Sequence, residues 1–295
     1  MLLKGAQIFL PGSGKEFYLQ LNLSPDTSID LQLHTTYSDG RWSAEQLFDY
    51  LAEAGFGLVA VTDHDRVDTV ESILQSGVRK RVPVLAAVEI SAQFHGQMAD
   101  VLCFGFDPHD QALRALADDV RHRQRYNAEQ VYEQLQRQGY PFPCPPELRV
   151  AGDCGPALVQ MGAVSDWPGA LALLTAAGYR AMKADLAETI ETVHRSGGVA
   201  LIAHPGRGLR EPQEFTWYTP QLLDRVRAEV PLDGIEVYYP THSPEQVEIY
   251  LAYAQRHDLL ISAGSDSHGP PGRMPIPYRA AQCRRLLERV GIQMQ

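Results

Sequence analysis

The stretch that decides the reading is "SIDLQLHTTYSDG", residues 28–40. Asp30, Gln32 and His34 alternate along what reads as a strand, so their side chains point to one face. A metal-binding strand of this type carries His-x-His, with two imidazoles side by side. Here the first of the two positions is Gln32, a neutral amide and a poor ligand for a transition metal. The stretch is therefore either a working metal site with one ligand changed or what is left of one.

Working outward, short apolar runs alternate with amphipathic helical patterns, the mark of a mainly parallel α/β sheet or barrel. The expected strands are "IDLQLH" (29–34), "GLVAVTDH" (57–64), "VPVLAAVEIS" (82–91), "DVLCFGFD" (100–107), "VALIAH" (199–204), "GIEVYY" (234–239) and "LLISAGSD" (259–266). Several are apolar at nearly every position, as expected when both faces of a strand are buried. Helix starts are signalled by Ser43 with Gln46 three residues later, and by Thr219-Pro220 and Ser243-Pro244. In "DLAETIETVHRSGG" the apolar stripe Leu186, Ile190, Val193 stops at Gly197-Gly198. From residue 109 to about 184 the alternation breaks into helical and Pro-rich sequence. The expected organisation is an N-terminal extension (1–28), a discontinuous α/β domain (29–108 and 185–295) and a helical insertion (109–184).

A formal net charge of −10 over 295 residues argues against a duplex nucleic-acid or anionic-membrane binder, since phosphate contacts need clustered Lys and Arg. It leaves room for a small phosphorylated substrate held by a few local arginines. Cys103, Cys144, Cys154 and Cys283 show no CxxC spacing, so neither a disulfide framework nor a zinc knuckle is indicated. The first residues lack a continuous apolar core, and no apolar run reaches the roughly 20 residues of a membrane span. A soluble cytoplasmic protein is the expectation.

The polar residues at the strand ends carry the chemistry. His34 closes the first strand and Asp39 follows it; the second ends in Thr62-Asp63-His64-Asp65 and the third in Glu89. The fourth begins at Asp100, the fifth closes with His204-Pro205-Gly206-Arg207, and the seventh with Asp266-Ser267-His268. In parallel barrels functional groups gather at the strands' C-terminal ends, where the loops converge. Imidazoles and carboxylates from many strands on one face suit a multinuclear metal site. His95, His109, His122, His194, His242 and His257 read instead as loop or helix-surface residues. Asp63 and Asp65 read more readily as turn or cap residues than as ligands.

Together "LQLHTTYSDG", "AVTDHD", "AAVEIS", "GGVALIAHPGR", "GIEVYYPTHSPEQ" and "SAGSDSHGP" resemble the PHP (polymerase and histidinol phosphatase) family of metal-dependent phosphoesterases. The resemblance covers residues 29–108 and 185–270, in the family's order. The insertion resembles that of the branch that dephosphorylates nucleoside 3′,5′-bisphosphates or AMP, members of which trim RNA 5′ ends. It implies a distorted seven-stranded (β/α) barrel with a helical insertion.

The resemblance also implies two or three divalent ions (Mn, Fe or Zn). The first would take the Gln32-x-His34 pair, Glu89 and Asp266; the second Glu89, Asp100 and His204; the third Asp39, His64 and His268. Two positions depart from the pattern: Gln32 and Asp100 each stand where the family has histidine. A carboxylate at Asp100 is a competent ligand, whereas Gln32 weakens the first site.

The catalytic candidates are His204, Glu89 and Arg207. Phosphate contacts are expected from Arg207, from Arg121 and Arg125 (i, i+4 on one helical face) and from Lys183. The Arg-Pro-His stretch common in the family's insertion is missing from "AGDCGPALVQMG". The expected activity is hydrolysis of a phosphate ester of a small nucleotide or an oligonucleotide 5′ end. Its alternatives are a non-catalytic metal- or nucleotide-binding relative, and a hydrolase of a non-phosphate bond on the same scaffold.

Overall fold

Seven apolar runs become the principal strands: β1 (Ser28–Leu33), β2 (Leu58–Val61), β3 (Ala87–Ile90), β4 (Val101–Phe104), β5 (Val199–Ile202), β6 (Gly234–Tyr238) and β7 (Leu260–Ala263). The structure, a computed structural model, describes residues 21–142, 146–210 and 215–295. Residues 1–20 of the expected N-terminal extension lie outside the described residues, as does Cys144. The helices are α1 (Ala44–Glu53), α2 (Val70–Lys80), α3 (Gln111–Arg137), α4 (Gly155–Gln160), α5 (Trp167–Ala176), α6 (Leu186–Arg195), α7 (Pro220–Glu229), α8 (Pro244–Arg256) and α9 (Arg284–Arg289).

The chain divides into two compact units: a larger one up to Ala115 and from Ala184 onward, and a smaller one, Leu116–Lys183. In the larger unit Ile29, Leu31, Leu58, Leu102, Phe104 and Leu201 are fully buried in one apolar core. The smaller unit is helical and closes its own core around Val131, Leu135, Leu158, Ala170 and Leu174.

The expected single barrel is not closed by strand pairing. The largest sheet runs β7-β6-β5-β4-β3; a second pairs β1 with β2 and with the short strand Tyr278–Arg279, and two small sheets of short strands stand apart from them. The first two sheets meet through isolated bridges, Leu33 to Ser267 and His64 to Glu89. Four-residue strands leave few ladder bonds to spare, and the register slips between Asp30 and Leu33, so pairing ends before the seams close.

The mainly parallel expectation also needs correcting. β4 is antiparallel to both β3 and β5, because a short hairpin (Ala92–Phe94 with Gln97–Met98) returns the chain beside β3. The reversal decides where Asp100 lies. At the start of β4 it stands level with the C-terminal end of β5, where Ala203 N–H donates to the Asp100 carbonyl at 2.9 Å.

The caps read from sequence are present. Ser43 and Gln46 close a capping box on α1, as do Ser243 and Gln246 on α8, and Thr219 caps α7. α8 is thereby pinned beside the loop that follows β5, where the Gln246 side chain also donates to the Gly206 carbonyl at 3.1 Å.

Candidate metal centre

β1, β3, β5 and β7 deliver their polar residues to one place. His34 is 1% exposed, and its Nε2 lies 3.2 Å from Asp266 Oδ1 and 3.3 Å from Glu89 Oε2. Its ring stacks between His268 (4.4 Å) and His64 (4.9 Å). Asp39 Oδ2 accepts from His268 Nε2 at 3.0 Å and lies 4.0 Å from His64 Nε2. On the other side, Glu89 Oε1 is 3.1 Å from His204 Nε2, and Asp100 completes a fully buried trio with them.

The backbone bends to achieve this. His204 (φ 30°) and Asp266 (φ 53°) both take left-handed conformations that side chains rarely adopt. Each costs about 1–3 kcal/mol and persists only because the surroundings impose it. For His204 the constraint is visible: its N–H donates to Glu236 Oε2 at 2.8 Å. For Asp266 it is a bridge across the sheets, its N–H donating to the Gln32 carbonyl at 2.9 Å.

Electrostatics follow from this crowding. Burial works against charge on His34, yet Asp266 and Glu89 beside it raise its pKa well above the ordinary imidazole value. Asp39 and Glu89 are likewise disfavoured by burial, but neighbouring imidazoles, His64 foremost, hold both well below the carboxylate range. Against the same penalty, His34 leads the groups that pull Asp266 down to about 2. Burial therefore does not neutralise Asp39, Glu89 or Asp266, and these three favour positive charge between them.

The donor set fits divalent ions. Both nitrogens of His34 and Nδ1 of His64 are buried without a hydrogen bond of proper geometry. An orphaned buried imidazole is costly, and a cation among nitrogen and carboxylate donors removes the cost. Three groupings bring ligand atoms within 4.8 Å of one another: His34–Asp39–His64, His34–Asp266–His268 and Glu89–Asp100–His204. Gln32 joins as a donor: its Nε2 is 3.2 Å from Glu89 Oε2, and its Oε1 is buried without a hydrogen bond.

Asp63 and Asp65 serve the backbone, in line with the turn reading. Asp63 accepts from Thr35 N–H, Thr35 Oγ1 and Ser38 Oγ, each at 2.7 Å, and Asp65 accepts from Ser91 N–H at 2.8 Å. Both hold the loops that carry Asp39 and Glu89.

Arg207 lies at the site, its Nη1 3.5 Å from Asp266 Oδ2 and its guanidinium 3.6 Å from the Phe215 ring centroid. Arg121, Arg125 and Lys183 belong to the smaller unit, where Arg121 pairs with Asp118 and Arg125 with Glu129.

The chain is similar to curated proteins along most of its length. It is 29% identical over 255 residues to a 3′,5′-nucleoside bisphosphate phosphatase from Chromobacterium violaceum, covering 82% of this chain and 88% of that one. It is 28% identical over 253 residues to a 5′-3′ exoribonuclease from Haemophilus influenzae, covering 82% and 90%. A solved structure from Bifidobacterium adolescentis, assigned as a metal-dependent phosphoesterase, superposes with a TM-score of 0.74 at 26% identity, covering 90% of this chain and 97% of that one. No protein-family model matches the chain.

The similarity is thus to phosphatases, exoribonucleases and a metal-dependent phosphoesterase, and it runs along most of the chain. Among the described residues no helix is long and apolar enough to cross a membrane.

Sequence reasoning missed several residues around this centre. Tyr239 is buried and donates its hydroxyl to Asp266 Oδ2 at 2.9 Å. Glu236, fully buried in β6, has its pKa raised well above the usual range by that burial. A carboxylate inside the apolar run "GIEVY" was the available signal. His242, expected on the surface, is buried: its Nδ1 donates to the Val237 carbonyl at 2.9 Å and its Nε2 accepts from Gly206 N–H at 3.0 Å. Sequence alone places it in a loop, because nothing along the chain shows that β6 and the His-Pro-Gly loop pack together.

Proposed function

We propose that this chain is a metal-dependent phosphoesterase of the PHP family and hydrolyses a phosphate ester of a small nucleotide, a nucleoside bisphosphate or monophosphate, or of an oligonucleotide 5′ end. The observation that carries the reading is the buried convergence of His34, Glu89, Asp100, His204 and Asp266 beside Arg207. The names of the relatives support the nucleotide class. A distorted seven-stranded barrel is the architecture we assign to the two bridged sheets.

Two or three ions, of Mn, Fe or Zn, would be held by His34, Glu89 and Asp266, by Glu89, Asp100 and His204, and by Asp39, His64 and His268. Bound there, divalent ions polarise phosphoryl oxygens and lower the pKa of a coordinated water towards neutrality. Glu89 and His204 hold each other in position through their 3.1 Å contact. As residues that would hold the ions, they would orient a coordinated water rather than act as free bases. Arg207 offers a planar fork of donors to the phosphoryl oxygens, its orientation set by stacking on Phe215.

The test is phosphate release from a panel of nucleoside bisphosphates, monophosphates and 5′-phosphorylated oligonucleotides, with Mn²⁺ or Zn²⁺ added. Turnover confined to nucleotide phosphates is expected. No turnover of any phosphate ester at saturating metal would sink the proposal.

A further inference from the structure

We propose that Arg273 is a substrate-binding residue, the second guanidinium of a pair that with Arg207 grips the phosphate beside Asp266. The inference rests on the phosphoesterase reading above and deepens it by assigning the phosphate to one flank of the centre.

Asp266 is split between two tasks. Its Oδ1 faces His34 at 3.2 Å, whereas its Oδ2 accepts from the Tyr239 hydroxyl at 2.9 Å. Two guanidiniums approach that same Oδ2 from separate segments, Arg207 Nη1 at 3.5 Å and Arg273 Nη1 at 3.9 Å. The two guanidiniums thus converge on one carboxylate oxygen at the edge of the centre. A phosphate placed against the centre needs cations at that place. Asp266 and Glu89 repel its oxygens, and cations on that flank offset the repulsion.

Both arginines are held in place, as anion-binding groups should be. Arg207 lies against Phe215, and Arg273 donates to the Ser265 carbonyl at 2.7 Å and sits over the Tyr239 ring at 5.3 Å. The Arg273 backbone is tied as well, since Ser267 Oγ donates to its carbonyl at 2.7 Å. Neither side chain is sealed: Arg207 is 25% exposed and Arg273 31%. A guanidinium has five N–H donors, so Arg273 retains several after bonding to Ser265.

The experiment is calorimetric titration of inorganic phosphate into the Mn²⁺-loaded protein, with metal content measured on each sample. Arg273→Gln is expected to weaken phosphate binding about ten- to a hundred-fold, the loss of a charged hydrogen-bonding partner, at unchanged metal content. Arg273→Lys is expected to fall between, because it keeps the charge and loses the fork. Wild-type binding of phosphate with equal affinity in both variants would overturn the inference and leave the phosphoesterase reading standing. A fall in metal content on Arg273→Gln, restored by Lys, would also overturn it, by showing that Arg273 only positions Asp266. Absence of phosphate binding by the wild type would overturn the inference alone, since the phosphoesterase reading stands or falls on turnover. If Arg273→Gln does not fold, the Lys variant decides: weaker binding supports the pair, and equal binding refutes it.

Discussion

Gln32 Nε2 stands 3.2 Å from Glu89 Oε2, a neutral amide donating to the carboxylate that is central to the cluster. An amide there lowers the electron-donating capacity of one carboxylate oxygen and contributes no imidazole of its own. Gln32→His is therefore expected to raise the metal content of the purified protein and the rate of phosphate release. Metal analysis alongside a rate measurement checks it. An unchanged or slower enzyme would show that Gln32 is adapted to its present role.

Tyr239 acts on the centre through Asp266, to whose Oδ2 it donates at 2.9 Å. Groups that orient a ligating carboxylate typically matter by about 10–100-fold in metal affinity or activity. Tyr239→Phe should lose metal affinity in that range while keeping its packing between the His204 and His242 rings. Competitive metal titration would read the change, and wild-type affinity would remove Tyr239 from the centre.

Chelation should lower the melting temperature as well as abolish turnover. The orphaned nitrogens of His34 and His64 leave the metal-free cluster at a cost that bound ions remove. Ions that bind only the folded chain stabilise it by about 3 kcal/mol at a hundred times their dissociation constant. Differential scanning calorimetry with and without chelator measures this. Identical curves would argue against a buried metal centre.

His242 gives a pH prediction. Burial lowers its pKa from 6.5 to about 4, with the charges of His204 and Arg210 acting the same way. Protonation would also destroy the acceptor that holds Gly206 N–H. The unfolded chain binds the proton more readily, so this contribution is complete above about pH 6.5 and is lost as the pH falls from there through about 4. The shift corresponds to about 3 kcal/mol. Denaturant unfolding across that window should show a shallower loss for His242→Gln than for the wild type. Parallel curves would mean that His242 does not titrate as described.

Much of the centre was legible because strand ends mark themselves. A polar residue closing an apolar run has nowhere to go but the sheet's end, and His34, His64, Glu89, His204 and Asp266 all announce themselves so. The reading was blind where meaning depends on another segment. Arg273 sits in "GPPGRMP", a loop with no periodicity, and its worth comes from facing an oxygen of Asp266. His242 looked like any loop histidine until the His-Pro-Gly turn was seen to rest on it.

The order of apolar runs, the helix caps and the residue types of the ligands are local properties, set by side-chain chemistry and by spacing along a few residues. Those the chain determined by itself. Tertiary structure alone decided that β4 runs backwards and carries Asp100 to the centre, and that the sheets meet by single bridges rather than a closed ladder. It also decided that Gln32 turns its nitrogen, not its oxygen, towards Glu89. Each of these depends on which segments meet in space, and contacts between residues 57 or 115 positions apart leave no periodic trace in the sequence.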